Sequence, residues 1–347
     1  ATGIRFLGDR VQWNGLIFPV KLRDGDLFAQ EVLASHRVKY CRIVRKSFKN
    51  GPKYFVQLVM EGIPPIKRNN DTGLCRRNPS PTAEVGVDIG TSTVAVSAEK
   101  GVILKELFPE SKAYDTEICL LQRKLDRSRR ATNPTRFNAD GTVISGIRLP
   151  WVRSNNYRKI RNQLQDVYRR RAVALKAAHN RTANAILALG NQVYVEEMDF
   201  RALMKRAKET TVNPNGRFNR KGRFGKSIGY HAPAMLVSIL KQKLAQESGD
   251  LHKVDTRTFR ASQYNHVTDT YVKKTLDERV TFVDGTLIHR DLYSSFLLKN
   301  SQPNLKATDT AKCTATFATF RTHHDHCIQT LCQSKQKHSA NFGLSHF

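Results

Sequence analysis

The sequence predicts an α/β domain preceded by a small β-rich one. Three observations predict it. Short β-type runs bounded by Gly-containing turns fill residues 1–61 and 85–107. Stretches with helical spacing follow at about 115–130 and 156–189. Strand and helix patterns then alternate as far as about residue 300.

In the first segment, Val11-Gln12-Trp13 and Leu16-Ile17-Phe18 flank Asn14-Gly15, a hairpin turn signal. A second strand pair, 38–46 and 54–61, spans Asn50-Gly51-Pro52. Tyr40, Arg42, Arg45, Tyr54 and Phe55 interleave aromatic and basic side chains there. Gripping a nucleic-acid backbone and packing a core account for that pattern equally well. Residues 62–83 carry Pro64, Pro65, Pro79 and Pro81 and read as a linker.

Three short strands are expected at 85–89, 93–97 and 102–107. A helix over 115–130 places Ile118, Leu121 and Leu125 on one face. Asn133-Pro134 and Asp140-Gly141 mark 131–156 as loop. A long helix then carries Leu164, Val167, Leu175, Ala178 and Ile186, and Gly190 suits its C-terminal cap. A strand at 192–198, a basic loop at 212–226, a helix at about 232–247 and a strand at 251–259 come next. A last helix starts near Asp291 and carries Leu292, Ser295 and Phe296. Residues 301–347 are rich in His, Thr and Ser and read as a polar tail. His323, His324, His326, Cys327 and Cys332 cluster in that tail, but their spacing matches no known metal site.

The chain carries 58 Lys and Arg against 30 Asp and Glu, a net charge of +28. Residues 121–181 hold 16 of these bases against three Asp, and 201–226 hold nine against one Glu. Such stretches repel themselves, and a polyanion relieves the repulsion. Phosphate backbone is the usual polyanion, bound with release of its counterions. A solvated basic face without a partner is the bland alternative. No run nears the roughly 18 apolar residues of a membrane span, and the basic segments lack a broad apolar face, so no membrane partner is expected. The six Cys include no C-x-x-C pair, which fits a reducing cytoplasm and no zinc ribbon of that type.

The element order is that of an RNase H-like domain, and three carboxylates occupy telling places in it. Asp88 interrupts an apolar strand, Glu196 ends the fourth strand and Asp291 opens the last helix. Strand alternation sets Glu197 with Val193 and Val195 and turns Glu196 to the opposite face. A carboxylate in a central strand is costly unless paired, protonated or metal-bound. Its oxygens suit Mg²⁺, and two such ions about 4 Å apart promote phosphodiester hydrolysis. Taken singly, Asp88 also fits a cap on the turn before Thr91, and Asp291 a helix cap.

At these residues the chain resembles TnpB (OrfB), the transposon-encoded RNA-guided nucleases related to type V CRISPR effectors. The motifs are Gly86-Val87-Asp88-Ile89-Gly90, Val195-Glu196-Glu197-Met198 and Arg290-Asp291-Leu292-Tyr293-Ser294-Ser295, with Gly225-Lys226-Ser227-Ile228 and Ala261-Ser262-Gln263 between the last two. The resemblance spans roughly residues 10–300. It implies a RuvC nuclease domain over 84–300, with basic helices inserted at about 115–190 and a wedge-like domain at 1–61. It implies Asp88, Glu196 and Asp291 as catalytic ligands of two Mg²⁺ ions, a guide RNA from the transposon end, and a double-stranded DNA target. Arg127, Arg129, Arg130, Arg158, Arg161, Arg169, Arg170, Arg171, Lys226, Ser227 and Arg290 are the expected nucleic-acid contacts. The family's zinc ribbon falls at 264–290, where this chain has no Cys, so no zinc is expected. Only 87 residues precede Asp88, so a separate recognition lobe or a longer parent chain is expected as well. The competing functions are guide-dependent DNA binding without cleavage, as in a repressor or decayed relic, and RNase H-like DNA transposition.

Overall fold

The computed structural model describes residues 3–75, 77–146, 150–206, 208–219, 224–275, 278–334, 342–344 and 347. They divide into two compact units, Ala1–Arg76 with Pro109–Lys176 and Arg77–Phe108 with Ala177–Phe347.

In the first unit, β1 (Arg5–Phe6), β2 (Arg10–Trp13) and β3 (Leu16–Pro19) form an antiparallel sheet. Asn14 and Gly15 both take positive φ, 47° and 80°, as the tight hairpin requires. Helix α1 (Leu27–Ser35) departs from the all-β expectation for residues 1–61. The Asp26 side chain starts it by accepting the Ala29 N–H at 3.1 Å. β4 (Val38–Phe48) and β5 (Gly51–Met60) make a long hairpin. Helices α2 (Ser111–Thr132) and α3 (Asn155–Leu187) bury Ile118 and Leu121 against Ile160 and Val167. These basic helices, expected as an insertion in the second domain, cluster with the N-terminal residues as far as Lys176.

The second unit is built on five strands. β6 (Glu84–Ile89), β7 (Thr93–Ala98) and β8 (Gly101–Glu106) form an antiparallel meander. β9 (Gln192–Glu196) runs parallel to β6. After α4 (Phe200–Met204), α5 (Gly225–His231) and α6 (Pro233–Ala245), β10 (Asp250–Val254) joins β9 in parallel. The sheet order is β10-β9-β6-β7-β8. The strand expected over 251–259 stops at Val254 because Asp255 caps α7 (Thr256–Phe259), accepting the Arg257 N–H at 3.0 Å. Of the basic loop at 212–226, residues 220–223 lie outside the described residues.

Two hairpins occupy the interval 264–290. β11 (Tyr264–Asn265) pairs with β12 (Thr270–Tyr271), and β13 (Val280–Val283) with β14 (Thr286–His289). α8 (Arg290–Lys299) and α9 (Thr310–Gln333) complete the unit. One face of the sheet packs Val85, Val87, Val193 and Val195 with Ile186 of α3 and Leu240 of α6. The other face receives α8 and α9 through Phe296, Leu297, Phe317 and Phe320.

The expected polar tail is therefore corrected over α9. Cys313, Phe317, Phe320, His324 and Ile328 are buried at helical spacing, so this helix is a core element.

Candidate active site

The site begins with alternation along β6. Val85, Val87 and Ile89 enter one core, so Gly86 and Asp88 face α8. Gly86 permits close packing. A Cβ there would stand 1.9 Å from the Ser295 backbone oxygen and 2.5 Å from the Lys299 nitrogen. Only a residue without a side chain lets α8 lie so close on the strand. On β9, Tyr194 and Glu196 share the α8 side. The parallel register pairs Val87 with Val195, which sets Asp88 and Glu196 alongside each other one step further on. Glu197 points the other way, is mostly exposed and pairs with Lys253 at 3.0 Å.

Asp291 enters from the first turn of α8. It is not the cap, since His289 occupies that position. Its carboxylate is held by two cations, Arg279 Nη1 at 3.4 Å and Arg290 Nε at 3.3 Å. Arg290, expected on phosphate, is instead mostly buried and also donates from Nη1 to the Thr275 carbonyl at 3.0 Å. Arg279 is a partner that no motif in the sequence singles out.

Electrostatics tie the three carboxyls together. Crowding by surrounding protein raises the Asp88 pKa well above its ordinary value, and the charges of Asp291 and Glu196 raise it further. Arg290 and Arg279 oppose that shift. Burial pushes Glu196 up to about 7. Asp88 keeps a partial opening to solvent. Among the described residues neither Asp88 nor Glu196 has a hydrogen-bond or ion-pair partner for its carboxyl, so Asp88 does not cap the turn at Thr91.

These residues fit a hard divalent cation in donor type, and the carboxyls of Asp88 and Glu196 are not neutralised by a bonded cation. Among the described residues, however, no three Asp, Glu, His or Cys side chains meet at spacing that would hold one ion.

Ser227 stands by the turn after Asp88, donating from Oγ to the Thr91 carbonyl at 3.3 Å. Lys226 lies over the Tyr230 ring, 5.3 Å from its centre.

In the first unit the expected arginines divide into two sets. Arg129 and Arg130 pair with Asp126 at 3.0 and 2.6 Å and stack on Phe137. Arg169 and Arg170 pair with Asp166, Arg170 also with Glu117, and Arg169 covers Phe48 at 4.3 Å. Arg171 is half-buried, while Arg127, Arg158 and Arg161 are exposed. Arg127 lines a cleft of about 530 Å³ with Lys124, Ser128, Asn156, Lys159 and Gln163.

No helix among the described residues is long and apolar enough to cross a membrane. No family model matches the chain, and no curated protein matches it. Among the solved structures similar to it are two complexes. One is a cryo-EM structure of a Cas12f1–sgRNA–target DNA complex, with 12% identity and a TM-score of 0.45, covering 79% of this chain and 48% of that one. The other is a cryo-EM structure of a CRISPR-Cas12f ternary complex, with 14% identity and a TM-score of 0.32, covering 81% and 48%. The chain thus spans about half the length of these solved chains.

Proposed function

We propose that the chain is an RNase H-like, RuvC-type endonuclease of the TnpB kind, guided by RNA to double-stranded DNA. The observation that carries this reading is the placement of Asp88 and Glu196 on adjoining parallel strands, with Asp291 entering from α8 near enough for its charge to act on Asp88. The order of that sheet supports it, with an antiparallel meander extended by two parallel strands. So does the positive charge of the chain, which suits a nucleic-acid backbone.

Asp88, Glu196 and Asp291 would hold two divalent cations, Mg²⁺ by donor chemistry. Such cations supply positive charge to the scissile phosphate and its departing oxygen. Asp88 and Glu196 meet this role by presenting carboxyls that no neighbouring cation within bonding distance neutralises. Arg279 and Arg290 orient Asp291 and offset part of the local negative charge. Arg127, Arg158 and Arg161 bind phosphates and add no selectivity for base sequence, which pairing with the guide supplies.

The test supplies guide RNA, Mg²⁺ and target DNA to wild type and to Asp88→Ala. Cleavage lost in the variant is expected, with guided binding retained. Equal cleavage by both proteins rejects the assignment.

The separation of the carboxylates from a shared ion-holding spacing favours a second reading, guide-dependent DNA binding without cleavage. Guided binding with no nicking at any Mg²⁺ concentration would establish it.

A further inference from the structure

We infer that His324, on α9, is a positioning residue for the acidic site. This rests on the proposed role of Asp291 as a cation ligand.

The His324 ring accepts the backbone N–H of His289 at Nε2, 2.9 Å away. With that lone pair engaged, the ring proton sits on Nδ1, which donates to Asp325 Oδ1 at 2.8 Å. Asp325 thereby selects the tautomer whose Nε2 can accept. Both histidines are 1% exposed, so water does not substitute for the bond. The His324 ring is fixed by Phe320 and Phe347, at 6.0 and 5.7 Å between ring centres.

His289 is the residue at which β14 becomes α8, and it has no side-chain cap of its own. Its own ring donates from Nε2 to the Phe342 carbonyl at 2.8 Å. The junction is therefore tied at its backbone by His324 and at its side chain by the Phe342 segment. Asp291 follows two residues later, in the first turn of α8. The direction in which its carboxylate leaves the helix is inherited from this junction. A ligand's outer partners commonly alter ion affinity by tenfold or more.

The experiment uses the full chain without nucleic acid and Mn²⁺ as the probe, with binding read by calorimetry. Amide hydrogen exchange at His289 is measured in parallel. His324→Phe keeps an aromatic ring, somewhat larger, and removes the acceptor. His324→Gln returns an acceptor oxygen near the place of Nε2. Asp325→Ala, at an exposed side chain, removes the tautomer control together with a surface ion pair to Arg321 at 3.9 Å, and provides a variant that folds if His324→Phe does not. Asp291→Ala is the control for the site itself.

The expected result is about tenfold weaker Mn²⁺ binding and faster exchange at His289 in His324→Phe, with both recovered in His324→Gln. A several-fold loss is expected in Asp325→Ala. If Asp291→Ala abolishes binding while His324→Phe, or in its place Asp325→Ala, binds as wild type does, the positioning role is overturned and the acidic site stands. If wild type binds no Mn²⁺, or Asp88→Ala and Asp291→Ala leave binding unchanged, the acidic-site reading falls and takes the positioning role with it.

Discussion

The Glu196 carboxyl lies beside that of Asp88 on a neighbouring parallel strand, one step past the Val87–Val195 pair, and its charge raises the Asp88 pKa. Crowding by the surrounding protein is the larger cause for Asp88 and the cause for Glu196. Two acids that resist ionisation side by side destabilise the fold wherever the unfolded chain would ionise them freely.

Stability should therefore fall with rising pH. The ordinary Glu pKa of 4.5 rises to about 7 in the folded protein. Between those values the folded state holds a proton that the unfolded chain has released. The stabilisation is complete below the lower value and lost as pH rises through the upper one, by roughly 3 kcal/mol at about 1.4 kcal/mol per pH unit. Glu196→Gln should flatten this slope in thermal melts run in chelator. It should also melt above wild type at pH 8, where added Mg²⁺ raises only the wild-type midpoint. A variant that retains the wild-type slope would remove Glu196 as its source.

Gly86→Ala should destabilise far more than an ordinary Gly-to-Ala change. Its new methyl would meet backbone atoms of Ser295 and Lys299, which cannot rotate away. A loss of about 3 kcal/mol is expected, at the upper end for overpacking. Gly229, inside α5, serves as the control, because a methyl added there meets nothing within 4 Å. There Ala should be neutral or stabilising by up to about 1 kcal/mol. Urea midpoints of the two variants make the comparison. Equal midpoints would show that α8 can shift off β6 at little cost.

The orientations of Asp88 and Glu196 were legible because each can be read from a local pattern. Asp88 interrupts the run Val85-Gly86-Val87, and alternation alone separates inward Glu196 from outward Glu197. Period 2 is a local property, so it survives without knowledge of the fold. Arg279 was not legible, since its approach to Asp291 depends on how β13 pairs with β14. Helix α9 was missed for another reason. Its buried positions are spaced as a helix requires, but Cys313 and His324 hold two of them and Thr and Ala lie between, so the apolar stripe is diluted. The arginines show the same limit. Asp126 and Asp166 lie within one turn of their partners, yet Phe48 reaches Arg169 only through tertiary packing.

That division of arginines predicts how salt acts on RNA binding. Arg127, Arg158 and Arg161 are exposed and have no acidic partner among the described residues, so their charge is available to phosphate. Arg169 and Arg170 share Asp166, whose pKa is lowered chiefly by its hydrogen bond to Arg169. Moving either arginine onto a phosphate would require that bond to be given up. Replacing Arg127, Arg158 and Arg161 together with Ala should lower the slope of log affinity against log salt by about 2 for a single strand, at roughly 0.7 per phosphate. Stability should stay within about 0.5 kcal/mol of wild type, because exposed side chains are removed. Arg169→Ala should do the reverse, costing about 1 kcal/mol through the lost Phe48 and Asp166 contacts with little change in slope. Fluorescence anisotropy with a labelled RNA across a salt series, beside thermal melts, separates the two effects. If Arg169→Ala moved the slope as far per residue as the exposed set, the intramolecular pairs would have to yield to phosphate at no cost, contrary to their burial and geometry.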